Sequence, residues 1–122
     1  MFGFLLDLFK PQTPRAPAIT SEASMAMECH DFYPFLTRFA NNPRFGLPDD
    51  FTASIVEALP DIPESASRRW KVEGSFDGQA MQLEVEIITD DPEAPDLNFF
   101  SSAAVIEEID RELSEFADAK EI

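Results

Sequence analysis

At 122 residues with a single cysteine, Cys29, the chain has the size of one domain that can bury a core without disulfide or structural metal. Its 24 acidic residues against 9 Lys and Arg leave a formal net charge of −15, a field that repels nucleic acid and anionic membrane. Hydrophobic residues make up 44% of the chain, with 12 Phe among them, which excludes a disordered polyanion. The acidity is one-sided: residues 72–122 hold 15 Asp and Glu against only Arg111 and Lys120, while residues 1–71 hold 9 against 7 cations.

Residues 1–20 read as an apolar N-terminal segment on a Pro-rich arm, and residues 21–122 as one acidic α+β domain. Phe2, Leu5, Leu6 and Phe9 recur at helical spacing, but nine residues are too few for a stable helix in water, so the segment needs a surface to lie on. That surface is the chain's own core, a partner, a homodimer mate or a membrane. Lys10 and Arg15 are the only cations beside it, which argues against the membrane. Pro11, Pro14 and Pro17 stiffen the tether that follows.

Between Ser21 and Asn42 the pattern changes. Met25, Met27 and Cys29 alternate as in a strand, and Phe32, Phe35, Leu36 and Phe39 then recur as on a helix face. This predicts a helix over 31–40, capped by Asp31, with Pro34 in its first turn and Asn41-Asn42-Pro43 as the stop. A second helix is predicted from Asp49 or Asp50 to Leu59, with Phe51, Ile55 and Leu59 on one face and Pro60 ending it. Pro60, Pro63 and Ser65 then mark a connector.

The sharpest signal is a hairpin over 68–88, in which Asp77-Gly78 joins two alternating runs as a type I′ turn would. A two-residue turn sets Trp70 opposite Val85, Val72 opposite Leu83 and Gly74 opposite Met81, all on one face. On the other face Arg69 meets Glu86 and Lys71 meets Glu84, opposite charges across the ladder. Residues 22–29 offer a third strand. The basic cluster Arg68-Arg69-Lys71 is thereby assigned mainly to internal pairing, which removes the best residues from any nucleic-acid reading. Past the hairpin comes the acidic loop Asp90–Asp96, then a C-terminal helix capped by Ser101 or Ser102, with Phe100 and Val105 as a hydrophobic staple if Ser101 is the cap. Its core stripe is Ile106, Ile109, Leu113 and Phe116. Glu107, Glu108, Glu112, Glu115, Asp118 and Glu121 are expected on the opposite face, with Glu108 and Glu112 repelling at i,i+4 and only Arg111 in a position to relieve Glu107 and Glu115.

No catalytic, cofactor-binding or metal site is expected. Glu28-Cys29-His30-Asp31 gathers reactive side chains, but sequence neighbours do not face one another and no second Cys or His completes a metal set. The Asp90–Asp96 loop has oxygen ligands, yet its two prolines and lack of Gly do not fit an EF-hand. Glu108 and Glu112 lack a His partner for a di-metal site and are expected at the surface. No Gly-rich phosphate loop can be built from four isolated Gly residues. No apolar run reaches the ~20 residues that span a bilayer, and the lone thiol makes a reducing, cytoplasmic setting the default.

The expected function is therefore that of a small acidic binding or inhibitor protein, with no cofactor, that occludes a basic protein surface such as that of a nucleic-acid-binding protein or nuclease. Immunity proteins and nucleic-acid mimics of the anti-CRISPR kind work in this way. Asp90, Asp91, Glu93, Asp96, Glu107, Glu108, Glu112 and Glu115 are its candidate contact residues. The alternative is a structural or adaptor subunit that docks through Phe2, Leu5, Leu6 and Phe9.

Overall fold

Alternation and turn chemistry build a sheet on which three helices lie. The computed structural model describes residues 16–120, and the apolar segment of Phe2, Leu5, Leu6 and Phe9 lies outside them. In chain order the elements are β1 (Ser21–Ala26), α1 (Cys29–Ala40), β2 (Phe45–Gly46), α2 (Phe51–Ala58), a 3₁₀ turn (Leu59–Asp61), β3 (Ser67–Phe76), β4 (Gln79–Ile88), β5 (Asp96–Ser101) and α3 (Ala103–Lys120). The strands form one curled antiparallel sheet in the order β1-β5-β4-β3-β2. The α+β expectation holds, but the sheet has five strands rather than two or three. Residues 21–26 supply a strand as expected and pair with β5, not with the hairpin.

The hairpin has the predicted register: Trp70 faces Val85, Val72 faces Leu83 and Gly74 faces Met81. Asp77 and Gly78 both take positive φ, 52° and 83°, as a type I′ turn requires. Register then carries one row of side chains across four strands, from Ala23 through Phe99 and Val85 to Trp70, on the face the helices cover. The next row, Glu22, Phe100, Glu84 and Lys71, belongs to the opposite face. There the guanidinium of Arg69 sits 4.5 Å over the Phe100 ring and pairs with Glu84 at 2.9 Å and Glu86 at 3.5 Å. Phe100 is thus a strand residue on the outer face and staples nothing. Ser101 is buried in β5, with Oγ donating to the Gln82 carbonyl at 2.5 Å, which leaves Ser102 at the head of α3.

The core is aromatic. Phe35 and Phe39 of α1 meet Phe99 of β5 at ring distances of 6.2 and 5.4 Å, Phe116 of α3 meets Phe35 at 5.4 Å, and Phe45 and Phe51 close on Phe39 at 4.7 and 5.7 Å. Each fully buried Phe contributes about 2–3 kcal/mol of transfer free energy. Among the described residues Tyr33 is the only large apolar side chain left exposed. α1 starts two residues before the predicted position. Glu28 is its cap residue, without a side-chain cap bond, and Asp31 is buried in the first turn against Lys120. Pro34 therefore falls in the second turn rather than the first. α2 buries Phe51, Ile55 and Ala58, with Leu59 passing into the 3₁₀ turn that Pro60 shares.

Candidate functional site

Helical periodicity turns Val105, Ile106, Ile109 and Leu113 into the core, and Glu108 and Glu112 flank that stripe one turn apart. The flank is not solvent. The end of α1 and the loop after it close over the two carboxylates, so that each residue is only 5% exposed. The expectation that both are surface acids is therefore wrong, and the reason is the group of cations and donors that reaches them. The Asn42 amide, placed by the stop that ends α1, gives one N–H to Glu108 Oε2 and one to Glu112 Oε2, each at 2.7 Å. Its carbonyl oxygen accepts the backbone N–H of Arg44 at 2.9 Å. Arg38 reaches Glu112 at 2.9 Å and Glu115 at 2.6 Å, and Arg44 reaches Glu108 at 3.0 Å and Asp77 at 2.7 Å. Arg111 adds Glu108 and, at 2.5 Å, Glu115.

Every buried polar side-chain atom in the described part finds a partner, as buried charge demands. The hydrogen bond from Arg111, the Asn42 amide and the charge of Arg44 hold the Glu108 carboxyl down to about 2 from an ordinary 4.5, although burial pushes it up. Asp77 is likewise lowered, first by its hydrogen bond from Arg44. Glu108 and Glu112 are turned inward against these donors, while Asp77 is half-exposed at the hairpin turn. They tie α1, the hairpin turn and α3 together.

The other predicted contact residues stand differently. Glu107 is exposed on α3, and Glu115 is half-exposed at the rim of the buried cluster. Asp90, Asp91, Glu93 and Asp96 are exposed, and no Lys or Arg among the described residues comes within ion-pair distance of them. Asp91 Oδ1 accepts the N–H of Glu93 at 3.0 Å, a local turn that orders the loop. A second acidic segment lies alongside. The Thr89 hydroxyl donates to the Pro63 carbonyl at 2.5 Å, and Ser65 N–H and Thr89 N–H complete the link to Thr89 and Ala66 carbonyls at 2.8 and 2.9 Å. This brings Asp61 and Glu64, both exposed, to the same end of the sheet as Asp90 and Asp91. Between the two segments opens a hollow of about 360 Å³, lined by Cys29, Leu59, Pro60, Ile62, Thr89, Pro92 and Pro95.

Sequence reasoning passed over this hollow because its prolines read as connectors. Its one legible signal was the repetition of Pro beside acid in 60–64 and 91–96. Cys29 is exposed, with its thiol 3.4 Å from the Pro92 carbonyl. His30 is 70% exposed, 3.4 Å from Glu28 and 3.5 Å from Asp31. No group of three or more His, Cys, Asp or Glu among the described residues is placed to hold a metal ion. No helix among them is long and apolar enough to cross a membrane. Comparison with protein-family models, with curated proteins and with solved structures found no match to this chain.

Proposed function

We propose that the chain is a small acidic protein-binding domain that covers a basic site on a partner protein by charge and shape, with no catalytic step. The contact surface is the end of the sheet where Asp90, Asp91, Glu93 and Asp96 stand beside Asp61 and Glu64 around the proline-lined hollow. Glu107 and Glu115 stand apart from it on α3, Glu107 beside Arg44 and Glu115 paired with Arg38 and Arg111, and Glu108 and Glu112 belong to the interior. What supports this reading is the division of the acids. The cations of α1, the loop after it and α3 are taken up by Glu108, Glu112, Glu115, Asp77 and Asp31, and the loop acids are left exposed without one. An apolar hollow inside an acidic rim suits a basic segment that also carries an apolar or proline anchor.

The test is capture from native lysate by the immobilised chain at low salt, followed by elution at high salt. We expect a discrete basic protein bound by the wild type and lost by an Asp90→Lys/Asp91→Lys/Glu93→Lys variant, with steep salt dependence, because exposed charge is screened. A complex indifferent to salt, or one retained by the loop variant and lost on deleting residues 1–10, would overturn the reading in favour of docking through the apolar segment.

A further inference from the structure

The strand β3 has a side that nothing else in the described structure pairs. It runs for ten residues beside β4, but on its other edge β2 covers only Ser75 and Phe76. The direction of its backbone groups follows from the turn: Asp77 N–H donates across that edge to the Arg44 carbonyl at 2.8 Å. By strand alternation the N–H and C=O groups of Glu73, Lys71, Arg69 and Ser67 point the same way, out past the end of β2. Alongside this edge, towards α2, lies a groove of about 210 Å³ whose apolar walls are Phe51, Ile55, Trp70 and Val72.

Asp50 and Glu73 also line this groove, but β3 itself carries Arg68, Arg69 and Lys71 against Glu73 alone, the reverse of the molecule's balance. Of the described Lys and Arg residues, Arg38, Arg44, Arg69, Arg111 and Lys120 are ion-paired. Arg68 and Lys71 have no carboxylate partner among the described residues, and both are exposed on β3. Arg68 instead lies 5.2 Å over the Trp70 ring. Two unpaired cations on one strand are unexpected in a chain with so large an excess of acid.

We propose that the free edge of β3 takes an extended peptide of another protein in which acidic and apolar residues alternate, added as a further antiparallel strand. The chemistry of that peptide is already displayed on the strand's opposite side. There β4 sets Glu84 and Glu86 against Lys71 and Arg69, and Leu83 and Val85 against Val72 and Trp70. A strand on the free edge meets the same alternation. Its outward residues pass Lys71, the cation of that face without a carboxylate, which favours Glu or Asp there, and its inward residues enter the groove against Trp70, Ile55 and Phe51. Main-chain hydrogen bonds to Ser67, Arg69, Lys71 and Glu73 supply affinity, and the alternating pockets supply selectivity. Pairing of this edge with its own copy is opposed, because it would set Arg68, Arg69 and Lys71 against like charge.

The probe is a capped hexapeptide with the composition of β4, Gln-Leu-Glu-Val-Glu-Ile, titrated into the full-length ¹⁵N-labelled chain. We expect amide shifts confined to Ser67–Glu73 and the facing side of α2, with slowed hydrogen exchange at alternate β3 amides. Lys71→Glu should weaken binding about fivefold or more, since it turns an attractive cross-strand pair into a repulsive one. The same peptide methylated on alternate backbone nitrogens should not bind, and neither should its Lys-for-Glu counterpart. Equal binding by the methylated peptide, shifts centred on β1 instead, or no shift at millimolar peptide would overturn the proposal. The methylated peptide leaves the protein untouched, so its result does not depend on how any variant folds. Loss of the acidic loop in Asp90→Lys/Asp91→Lys/Glu93→Lys should leave this binding unchanged, which separates it from the surface proposed above.

Discussion

The side-chain amide of Asn42 gives one N–H to each of two buried glutamates and so holds apart two like charges that an α-helix places one turn from each other. Removing it leaves both carboxylates short of a donor in a poorly solvated place. Asn42→Ala should therefore cost about 3 kcal/mol in urea unfolding, far more than a surface substitution, and Asn42→Asp should cost more still by adding a third negative charge. Glu108 makes a second prediction, in pH. Its folded carboxyl sits near 2 while the unfolded one sits near 4.5, so its contribution is complete above 4.5 and is lost as pH falls from 4.5 through 2. The loss amounts to about 3 kcal/mol. Acid titration of stability should show this fall in the wild type and a flatter curve in Glu108→Gln, which starts lower at neutral pH. Most of this was not legible at the residue scale, because apart from Arg111, three residues from Glu108 on the same helix, the partners lie far along the chain. Asn42 and Arg44 are 66 and 64 positions from Glu108, and Arg38 is 74 from Glu112. Spacing along α3 showed which residues flank the apolar stripe but not what would fold over them.

Among the elements, the hairpin was readable to the residue because three independent local signals agree on it. The Asp-Gly turn, the apolar alternation and the cross-strand charges each select the same pairing, and slipping by one residue would send every apolar side chain to the wrong face. Its two glycines separate two physical causes of destabilisation. Gly78 needs its positive φ and has open space around it, so Gly78→Ala should cost about 1 kcal/mol, purely through backbone conformation. A Cβ on Gly74 would stand 2.5 Å from the Gly46 carbonyl oxygen, so Gly74→Ala must push β2 off β3 and should cost about 2–3 kcal/mol. Thermal unfolding of the two variants checks the order; equal losses would contradict it. β5 escaped notice for the opposite reason. Leu97 and Phe99 point inward as a strand should, but Phe100 on the outer face breaks the alternation and read as the approach to a helix. β2, at two residues, is too short to leave a pattern.

Across the whole molecule, folding redistributes the charge that the chain carries so unevenly. Arg38 and Arg44, from the less acidic half, are brought onto α3 and the hairpin turn, and the unpaired acids are left along the loops and the exposed side of α3. Those remaining charges repel one another. Raising NaCl from about 10 mM to about 0.5 M should therefore raise Tm by a few degrees, since exposed repulsion is screened more than the donor-saturated pairs at Glu108 and Glu112. A fall in Tm would mean that the ion pairs outweigh the repulsion. The net acidity was open to inspection in the composition. The end of the sheet where acid meets apolar surface was not, because it is assembled from 59–66 and 89–96, two segments joined only by Thr89 and its neighbours.

The sheet order also has a consequence in time. Among the described strands β1 is made first and pairs with β5, made last, some 70–80 residues later. The hairpin of β3 and β4 needs only its own residues to close, on a timescale of about 1–10 μs. A nascent chain has no seat for β1 until β5 has left the ribosome, and Phe35 and Phe39 of α1 wait as long for Phe99, with only Phe45 and Phe51 to meet Phe39 earlier; such long loops close late. Between completion of β4 at Ile88 and the arrival of β5 the molecule is therefore a hairpin accompanied by an aromatic helix whose partner strand is still missing.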